Sequence, residues 1–157
     1  MRYRAFTDAD HDLIVALERT VLLQEDPNFD ALPDREKEGR IRTSVASLRF
    51  FERTEHSFVA EAEDVLYGAV FAQSVWHGDK PTVWISRILL HPAAPSDTLA
   101  GLLKACSKSA YDTAIYEVHT CLTPEQAAAA EGFRSQGIYA VRHLGSRSET
   151  AQGEKLA

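Results

Sequence analysis

The chain has 157 residues, of which 45% are hydrophobic and 25% charged, and its formal net charge is −6 at pH 7. This length suits one folded domain, and this hydrophobic content excludes an intrinsically disordered chain. The acidic excess argues against nonspecific nucleic-acid binding, which needs clustered Lys and Arg to displace counterions from phosphates. A surface of this charge favours a cationic amine as ligand instead.

The first residues of the chain are polar, because Arg2 and Arg4 follow Met1 and no apolar stretch typical of a signal peptide comes after them. No apolar run in the sequence is long enough to cross a bilayer. We therefore expect a soluble, cytoplasmic protein whose partners include neither a membrane nor a nucleic acid.

The periodicity of the apolar residues predicts a mixed α+β order of elements. The predicted elements are strand 2–6, helix 8–24, loop 25–33, helix 34–54, strand 57–63, strand 67–77, strand 82–90, helix 97–113, strand 115–121, helix 124–131 and strand 137–144. From Ser146 onward apolar periodicity is lost. We therefore predict a single domain over residues 1–147 and a flexible tail over 148–157.

Three of the predicted helices carry apolar stripes at three- and four-residue spacing, which are expected to cover the faces of a sheet. The stripes are Leu13, Leu17 and Val21; Ile41, Val45, Leu48 and Phe51; and Leu99, Leu102, Leu103 and Cys106. The second of these helices also carries four arginines, Arg40, Arg42, Arg49 and Arg53. A solvated helix face that pairs with nearby glutamates accounts for them.

Residues 82–103 indicate a strand, a bend and a helix start in quick succession. β-Branched and aromatic residues fill 82–90, which predicts a central strand. Two prolines follow it, and Ser96 or Asp97 can cap a helix that begins near Thr98. The free amides of such a helix start suit a phosphate or pyrophosphate, although an ordinary strand-to-helix corner has the same pattern.

The order of these elements resembles that of the GNAT superfamily of acyl-CoA-dependent N-acyltransferases over nearly the whole chain. Three segments carry the resemblance: residues 2–10, in which Thr7 caps the first helix and Asp10 answers it; residues 95–100; and residues 129–133, Ala-Ala-Glu-Gly-Phe. The chain is most similar to small bacterial members of the superfamily. The resemblance implies a GNAT-like α+β fold, with a central mixed, mostly antiparallel sheet flanked by about four helices.

The resemblance also implies acetyl-CoA as cosubstrate. Its pantetheine arm would lie along the backbone of Ile88, Leu89 and Leu90, where the fourth strand splays from the fifth. Its pyrophosphate would bind the loop that consists of Ser96, Asp97, Thr98, Leu99 and Ala100. This loop is degenerate, because Ala100 fits the family pattern Arg/Gln-x-x-Gly-x-Gly/Ala while Pro95 and Thr98 replace its first and fourth residues.

The catalytic side chains of the family are replaced in this sequence. Ser86 stands where many members have a glutamate base, and Ala128 stands where many have a tyrosine acid. A serine hydroxyl can orient a water molecule. His119, with Glu117 on the same strand face, is the other candidate catalytic residue, and an ordinary partly exposed histidine is the alternative interpretation.

The sequence thus favours an acetyl-CoA-dependent N-acetyltransferase whose acceptor is a small amine, a protein N-terminus or a lysine. The alternative is a catalytically degenerate relative that binds a ligand or forms a homodimer. A third class is an unrelated α+β domain with the same order of elements. Trp76 is expected to pack in the interior, and the alternatives are an acceptor groove or a dimer contact.

No metal site is predicted. Residues 26–30 resemble the start of a calcium loop, but Ala31 replaces the glycine at its bend and Lys37 replaces the closing glutamate. The six histidines have no paired spacing. Cys106 and Cys121 form no Cys-x-x-Cys pair, and both are expected to be reduced core residues.

Overall fold

In the computed structural model, which describes residues 1–142, the chain folds into a five-stranded sheet with helices packed on both faces. The strands are β1 (Arg2–Ala5), β2 (Phe58–Ala62), β3 (Val65–His77), β4 (Lys80–Leu90) and β5 (Val118–Thr120). The α-helices are α1 (His11–Glu25), α2 (Asp34–Arg40), α3 (Val45–Glu52), α4 (Thr98–Asp112) and α5 (Pro124–Ala129). The 3₁₀ turns Asp8–Asp10 and Phe29–Ala31 precede and follow α1.

The sheet is mixed and mostly antiparallel. Its spatial order is β1-β2-β3-β4-β5, in which β1 to β4 pair antiparallel with their neighbours and β5 pairs parallel with β4. A parallel pair needs a crossover connection, and α4 provides it between β4 and β5. This is the α+β organisation that the sequence predicts.

Each face of the sheet has its own apolar core. On one face α4 packs its buried Leu102 against Val83 of β4. On the other face α1 and α3 cover Phe71, with Leu48 of α3 almost fully buried. Cys106 lies in the α4 core, as predicted, and burial raises the pKa of its thiol to about 12.

The stripe predicted on the first helix is correct at two of its three positions. Leu13 is 46% exposed, whereas the adjacent Ile14 is fully buried. Leu17 is buried, as predicted, and Leu22 completes the buried face. Val21 is partly buried against the same core, so the predicted and the observed faces overlap and differ by less than the rotation of about 100° that one residue step gives.

The predicted helix over 34–54 is wrong as a single helix, because the chain is extended between α2 and α3. The amides of Arg42 and Thr43 donate there to the carboxylate of Glu18 on α1, at 2.9 and 3.0 Å. The side chain of Ser44 then caps α3. A contact distant in the sequence thus replaces the local hydrogen bonds that would have continued the helix, and the proposed four-arginine helix face is not formed.

The predicted cap of the first helix is present. Asp10 accepts a hydrogen bond from the amide of Thr7 at 2.9 Å. Arg4 of β1 donates to both oxygens of the same carboxylate, at 2.7 and 2.8 Å. These bonds, that of Arg4 first, hold the pKa of the Asp10 carboxyl below its usual value.

Three predictions concern the C-terminal part of the chain, namely its last strand, the end of the domain and the tail. Residues 137–142 form no strand, so the strand predicted over 137–144 is wrong within the described chain, and its last two residues lie outside it. The tail over 148–157 and the end of the predicted domain also lie outside the described residues. Within residues 1–142, no helix is long and apolar enough to cross a membrane.

Two side chains expected in the interior lie at the surface. Trp76 is 75% exposed, because it lies opposite Pro81 near the tip of the β3–β4 hairpin. Cys121, just after β5, is exposed and free. The packing predictions for both residues are therefore wrong.

Candidate functional site

A β-bulge in β4 shapes the candidate site. The register between β3 and β4 shifts there, so that Ser86 is the extra residue and Arg87 stands opposite Phe71. The hydroxyl of Ser86 donates to the carbonyl oxygen of Phe71 at 3.1 Å. A bulge changes the alternation of side chains along a strand. The consecutive side chains of Ser86 and Arg87 therefore line the same cleft.

The cleft has a volume of about 690 Å³ and lies between the end of α1, the segment that joins α2 to α3, and strands β3 and β4. Its lining residues are Leu22, Glu25, Gly39, Arg40, Arg42, Ser47, Phe51, Phe71, Ser86 and Arg87. The exposed Ser86, a predicted catalytic residue, thus belongs to an open cleft with both apolar and charged walls.

Beside this cleft lies a buried carboxylate, that of Glu18, which is 1% exposed. One oxygen accepts hydrogen bonds from Nη1 of Arg87 and from the amide of Arg42. The other accepts from the amide and the hydroxyl of Thr43. A charge can be buried at tolerable cost when it is paired and its lone pairs are satisfied, and both conditions hold here. Glu18 thereby fixes two arginine positions of the cleft.

Beyond the bulge, β4 separates from β5. The parallel pairing joins Val83 to Ile85 of β4 with residues 118–120, and β4 then continues to Leu90 with no strand beside it on that edge in the described chain. The predicted cofactor-binding residues Ile88, Leu89 and Leu90 all lie in this unpaired stretch.

The direction of the backbone groups in this stretch follows from one hydrogen bond. The amide of His91 donates to the carbonyl of Tyr67 on β3 at 2.9 Å. Because peptide groups alternate along a strand, the N–H of Leu89 also faces β3, whereas those of Ile88 and Leu90 face the open edge. Two of the three predicted residues therefore present backbone donors at the split that have no acceptor within residues 1–142.

The N-terminus of α4 lies just beyond β4, and Asp97 is its N-cap, within the range predicted for the cap. The amide of Thr98 is taken by the carbonyl of Pro95 at 3.0 Å. Among residues 1–142, the amides of Leu99 and Ala100 have no acceptor. The predicted loop thus offers two free N–H groups at the positive end of a helix of 15 residues.

The side chains of this loop differ in burial. Ser96, Asp97 and Ala100 are exposed, and Leu99 packs in the α4 core. Thr98 is 1% exposed, and its buried hydroxyl has no hydrogen-bond partner in the described chain. Such an unpaired buried group is unusual, and it lies directly before the two residues with free amides, Leu99 and Ala100.

Tyr3 of β1 packs against the first turn of α4. Its hydroxyl is 3.4 Å from the carbonyl oxygen of Asp97. A Cβ added to Gly101 would lie 2.0 Å from Cζ of this ring. Burial first, and the charge of Asp97 second, raise the pKa of the Tyr3 hydroxyl. Because Gly101 has no Cβ, the ring of Tyr3 can pack directly against the first turn of α4.

The second predicted catalytic residue, His119, lies on β5 beside Trp84. Its Nε2 is 3.0 Å from Oε2 of Glu117, the neighbour predicted on the same face, and this contact lowers the pKa of the Glu117 carboxyl. The His119 ring also contacts that of His77, with centroids 5.5 Å apart. His119 is absent from the lining of the cleft that contains Ser86, so the structure does not bring the two predicted catalytic residues into one cleft.

The part of the chain that the structure describes contains no group of three His, Cys, Asp or Glu side chains arranged to hold a metal ion.

The profile of one protein family, described as "Protein of unknown function (DUF1999)", matches residues 1–157. The chain belongs to the DUF1999 family. The crystal structure of wild-type TTHA1254 from Thermus thermophilus is similar to this chain at 40% sequence identity, with a TM-score of 0.70, and the match covers 94% of this chain and 100% of that one. No curated protein matches the chain.

Two acetyltransferase structures resemble this DUF1999 protein more distantly. Aminoglycoside N-acetyltransferase AAC(6')-Iy in complex with CoA is 17% identical, with a TM-score of 0.61 and coverage of 90% of this chain and 93% of that one. The aminoglycoside acetyltransferase meta-AAC0020, from an uncultured soil metagenomic sample, is 15% identical, with a TM-score of 0.64 and coverage of 92% and 96%. At this identity the likeness shows the fold, and the GNAT-like α+β fold predicted from the sequence is confirmed.

Sequence patterns do not identify the three charged residues that shape the cleft, Glu18, Arg42 and Arg87, as members of one site, and they place Arg42 on a solvated helix face. Glu18 comes directly after Leu17 of an apolar helical stripe. This position beside the stripe is the one local sign that the Glu18 carboxylate is buried. Arg87 is the one charged residue of the predicted strand 82–90, which also indicates a position with a partner. Neither signal identifies the partner, because the two residues are 69 positions apart.

Proposed function

We propose that this DUF1999 protein is an acetyl-CoA-dependent N-acyltransferase. The observation that carries the proposal is the separation of β4 from β5, which leaves the N–H groups of Ile88 and Leu90 without an acceptor in the described part of the chain. A pantetheine arm carries amide groups that can pair with such an edge as an added strand does. The acetyl-transferase fold of distant structural relatives, one of them a CoA complex, supports the same assignment.

The start of α4 suits the pyrophosphate of the cosubstrate. The free amides of Leu99 and Ala100 are donors at the positive end of a helix, an arrangement that binds phosphates in many folds. The unpartnered hydroxyl of Thr98 is adjacent to them. The loop would hold the anion through backbone donors, since only Ala100 matches the glycine pattern of the family.

In the proposed reaction the nitrogen of an amine attacks the thioester carbonyl, a C–N bond forms, the C–S bond breaks, and the proton of the amine passes to the CoA thiolate. One of the two backbone donors at the split would stabilise the oxygen that becomes negative in the transition state, and the other would pair with the pantetheine arm. Ser86, which lines the cleft on the other side of the bulge, would orient the amine or a water that takes its proton. His119, outside this cleft, remains a second candidate for proton transfer.

One observation favours the alternative of a non-catalytic relative. The exposed carboxylate of Asp97 lies at the N-cap of α4, where its negative charge opposes a bound phosphate. Pro95 also lacks an N–H group. In this alternative the protein keeps the fold as a ligand-binding module or a homodimer.

Calorimetric titration with acetyl-CoA and with free CoA separates the two functions. Binding in the micromolar range supports the transferase and justifies a screen of amine acceptors. Absence of heat at millimolar ligand contradicts the transferase and favours the non-catalytic relative. Desulfo-CoA is the matched control, because it keeps the pantetheine and phosphate contacts and lacks the sulfur at which the reaction occurs.

A further inference from the structure

The charged residues of the cleft do not match the acidic net charge of the chain. Three arginines, Arg40, Arg42 and Arg87, and one carboxylate, that of Glu25, line it. The net charge of −6 favours a cationic ligand. A ligand inside the cleft, however, interacts most strongly with these four lining groups, because they are the charges nearest to it. Their individual partners decide which charges are available to it.

Arg40 and Arg87 are each paired with a carboxylate. Nη1 of Arg40 is 2.7 Å from Asp26, and its guanidinium lies over the ring of Phe29. Arg87 donates through Nη1 to the buried Glu18, and its side chain is 25% exposed. No described group accepts from the remaining nitrogens of Arg87, Nε and Nη2. Arg87 is therefore an anchored guanidinium with donors left for a ligand in the cleft.

Arg42 is held differently. Its Nη1 donates to the carbonyl oxygens of Gly39, at 2.6 Å, and of Ile41. These acceptors fix the guanidinium and carry no formal charge. No carboxylate of residues 1–142 lies within ion-pair distance of Arg42. Its positive charge is therefore uncompensated at the wall of the cleft.

A single oxygen couples the two arginines. The same atom of Glu18, Oε1, accepts from the amide of Arg42 at 2.9 Å and from Nη1 of Arg87. This shared acceptor atom holds the backbone of Arg42 close to the guanidinium of Arg87. Glu25, at the end of α1, is the carboxylate of the lining and has no ion pair in the described chain. The cleft thus combines two positioned arginines with one separate negative charge.

Resting on the proposed function, we propose that the acceptor is a small amine that also carries a carboxylate, and that Arg42 and Arg87 bind this carboxylate. Guanidinium groups pair with carboxylates through directed, charge-assisted hydrogen bonds. Glu25 attracts the ammonium end before it loses its proton. The acceptor class is therefore an amino acid or a related amino-carboxylate, and a polyamine without a carboxylate is excluded.

The test uses a panel of α-, β- and γ-amino acids and the carboxamide of each, titrated by calorimetry into the full chain with and without saturating CoA. Each pair has the same amine and differs in the charge of one group. We expect at least one carboxylate to bind about tenfold or more tightly than its carboxamide, the effect of losing a hydrogen bond between charged groups. Equal binding within every pair, or no binding of any member at millimolar concentration, overturns the inference.

Arg42→Gln assigns the preference to a residue. The Arg42 side chain is exposed and its link to Glu18 is made by the backbone, so the variant should remain folded. It should lose the preference for the carboxylate, whereas Arg49→Gln, which makes the same change at an exposed arginine of α3 outside the cleft, should keep it. A preference that survives Arg42→Gln contradicts the assigned site. Arg87 is left unchanged, because its removal would also unpair Glu18.

The two proposals fail separately. If CoA binds and carboxylate and carboxamide bind equally, the acceptor class is wrong and the transferase proposal stands. If CoA does not bind and the preference depends on Arg42, the transferase proposal is wrong and the cleft remains a site for amino-carboxylates.

Discussion

Glu18 and Arg87 form an ion pair that joins α1 to the bulge of β4, although 69 positions separate them in the chain. The same carboxylate binds the amides of the extended segment between α2 and α3. The pair therefore sets three walls of the cleft at once. Its contribution to folding and its contribution to the site can be measured independently.

Glu18→Gln should destabilise the protein by about 2–4 kcal/mol, because it leaves the Arg87 guanidinium without its counter-charge and replaces one of the two acceptor oxygens with an NH2 group that faces other donors. Urea unfolding followed by circular dichroism measures this. Glu36→Gln, at an exposed position of α2, should change the free energy of unfolding by less than about 0.5 kcal/mol. A loss below that level in Glu18→Gln would show that the buried pair contributes little to stability.

Gly101→Ala should destabilise the protein by about 1–3 kcal/mol, because the new Cβ meets the ring of Tyr3 and overpacks the contact between β1 and α4. The sign should reverse in a Tyr3→Ala background, where the same change stabilises by roughly 0.5–1 kcal/mol through the helix propensity of alanine. The four proteins form a double-mutant cycle, measured by chemical denaturation. Equal effects of Gly101→Ala in both backgrounds would refute the contact as the cause.

Asp10 should make stability depend on acid pH. The hydrogen bonds from Arg4 lower the pKa of the folded carboxyl below that of the unfolded chain, about 3.9. The stabilisation is therefore complete above this unfolded value and is lost as the pH falls through the folded value. We expect Asp10→Asn to lower the melting temperature at pH 7 and to approach the parent protein near pH 2. Arg4→Gln should weaken the pH dependence in the same way, and parallel curves for parent and variants would contradict the linkage.

The sequence predicts the sheet and its crossover because local patterns specify them. The β-branched run of β4, the prolines after it and the cap at Asp97 each determine structure within a few residues. The helix break between α2 and α3 has no such local sign, since it results from the amides of Arg42 and Thr43 turning to Glu18. Tertiary contacts override helix propensity at that point.

In the candidate site, too, some features follow from local sequence patterns and others depend on tertiary contacts. The resemblance to the acyltransferase superfamily places Ile88 and Leu90 at a strand end and the loop up to Ala100 at a helix start, and the structure has both elements there. That these residues bind a cofactor stays a prediction. The side chains of the cleft could not be predicted, because the bulge that turns both Ser86 and Arg87 into it depends on the register with β3. A regular strand would have placed these two side chains on opposite faces.

Ala100→Glu tests the cosubstrate site at residue level. The exposed Ala100 has a free amide in the first turn of α4, so a glutamate there adds bulk and a negative charge where the pyrophosphate is proposed to bind. A folded variant should lose CoA affinity by about tenfold or more, because the added charge opposes a phosphate within a few ångströms. Calorimetry with CoA measures the loss, and circular dichroism reports the fold.

Ala46→Glu is the matched control, because Ala46 is an exposed alanine in the first turn of α3 and receives the same charge. An acidic residue is favourable in the first turn of any helix, so both variants should keep or slightly raise their stability. CoA affinity should be unchanged in Ala46→Glu and lost in Ala100→Glu. Equal affinities in the two variants would place the phosphate-binding groups away from the start of α4, and the open edge at Ile88 and Leu90 would then have to hold the cosubstrate alone.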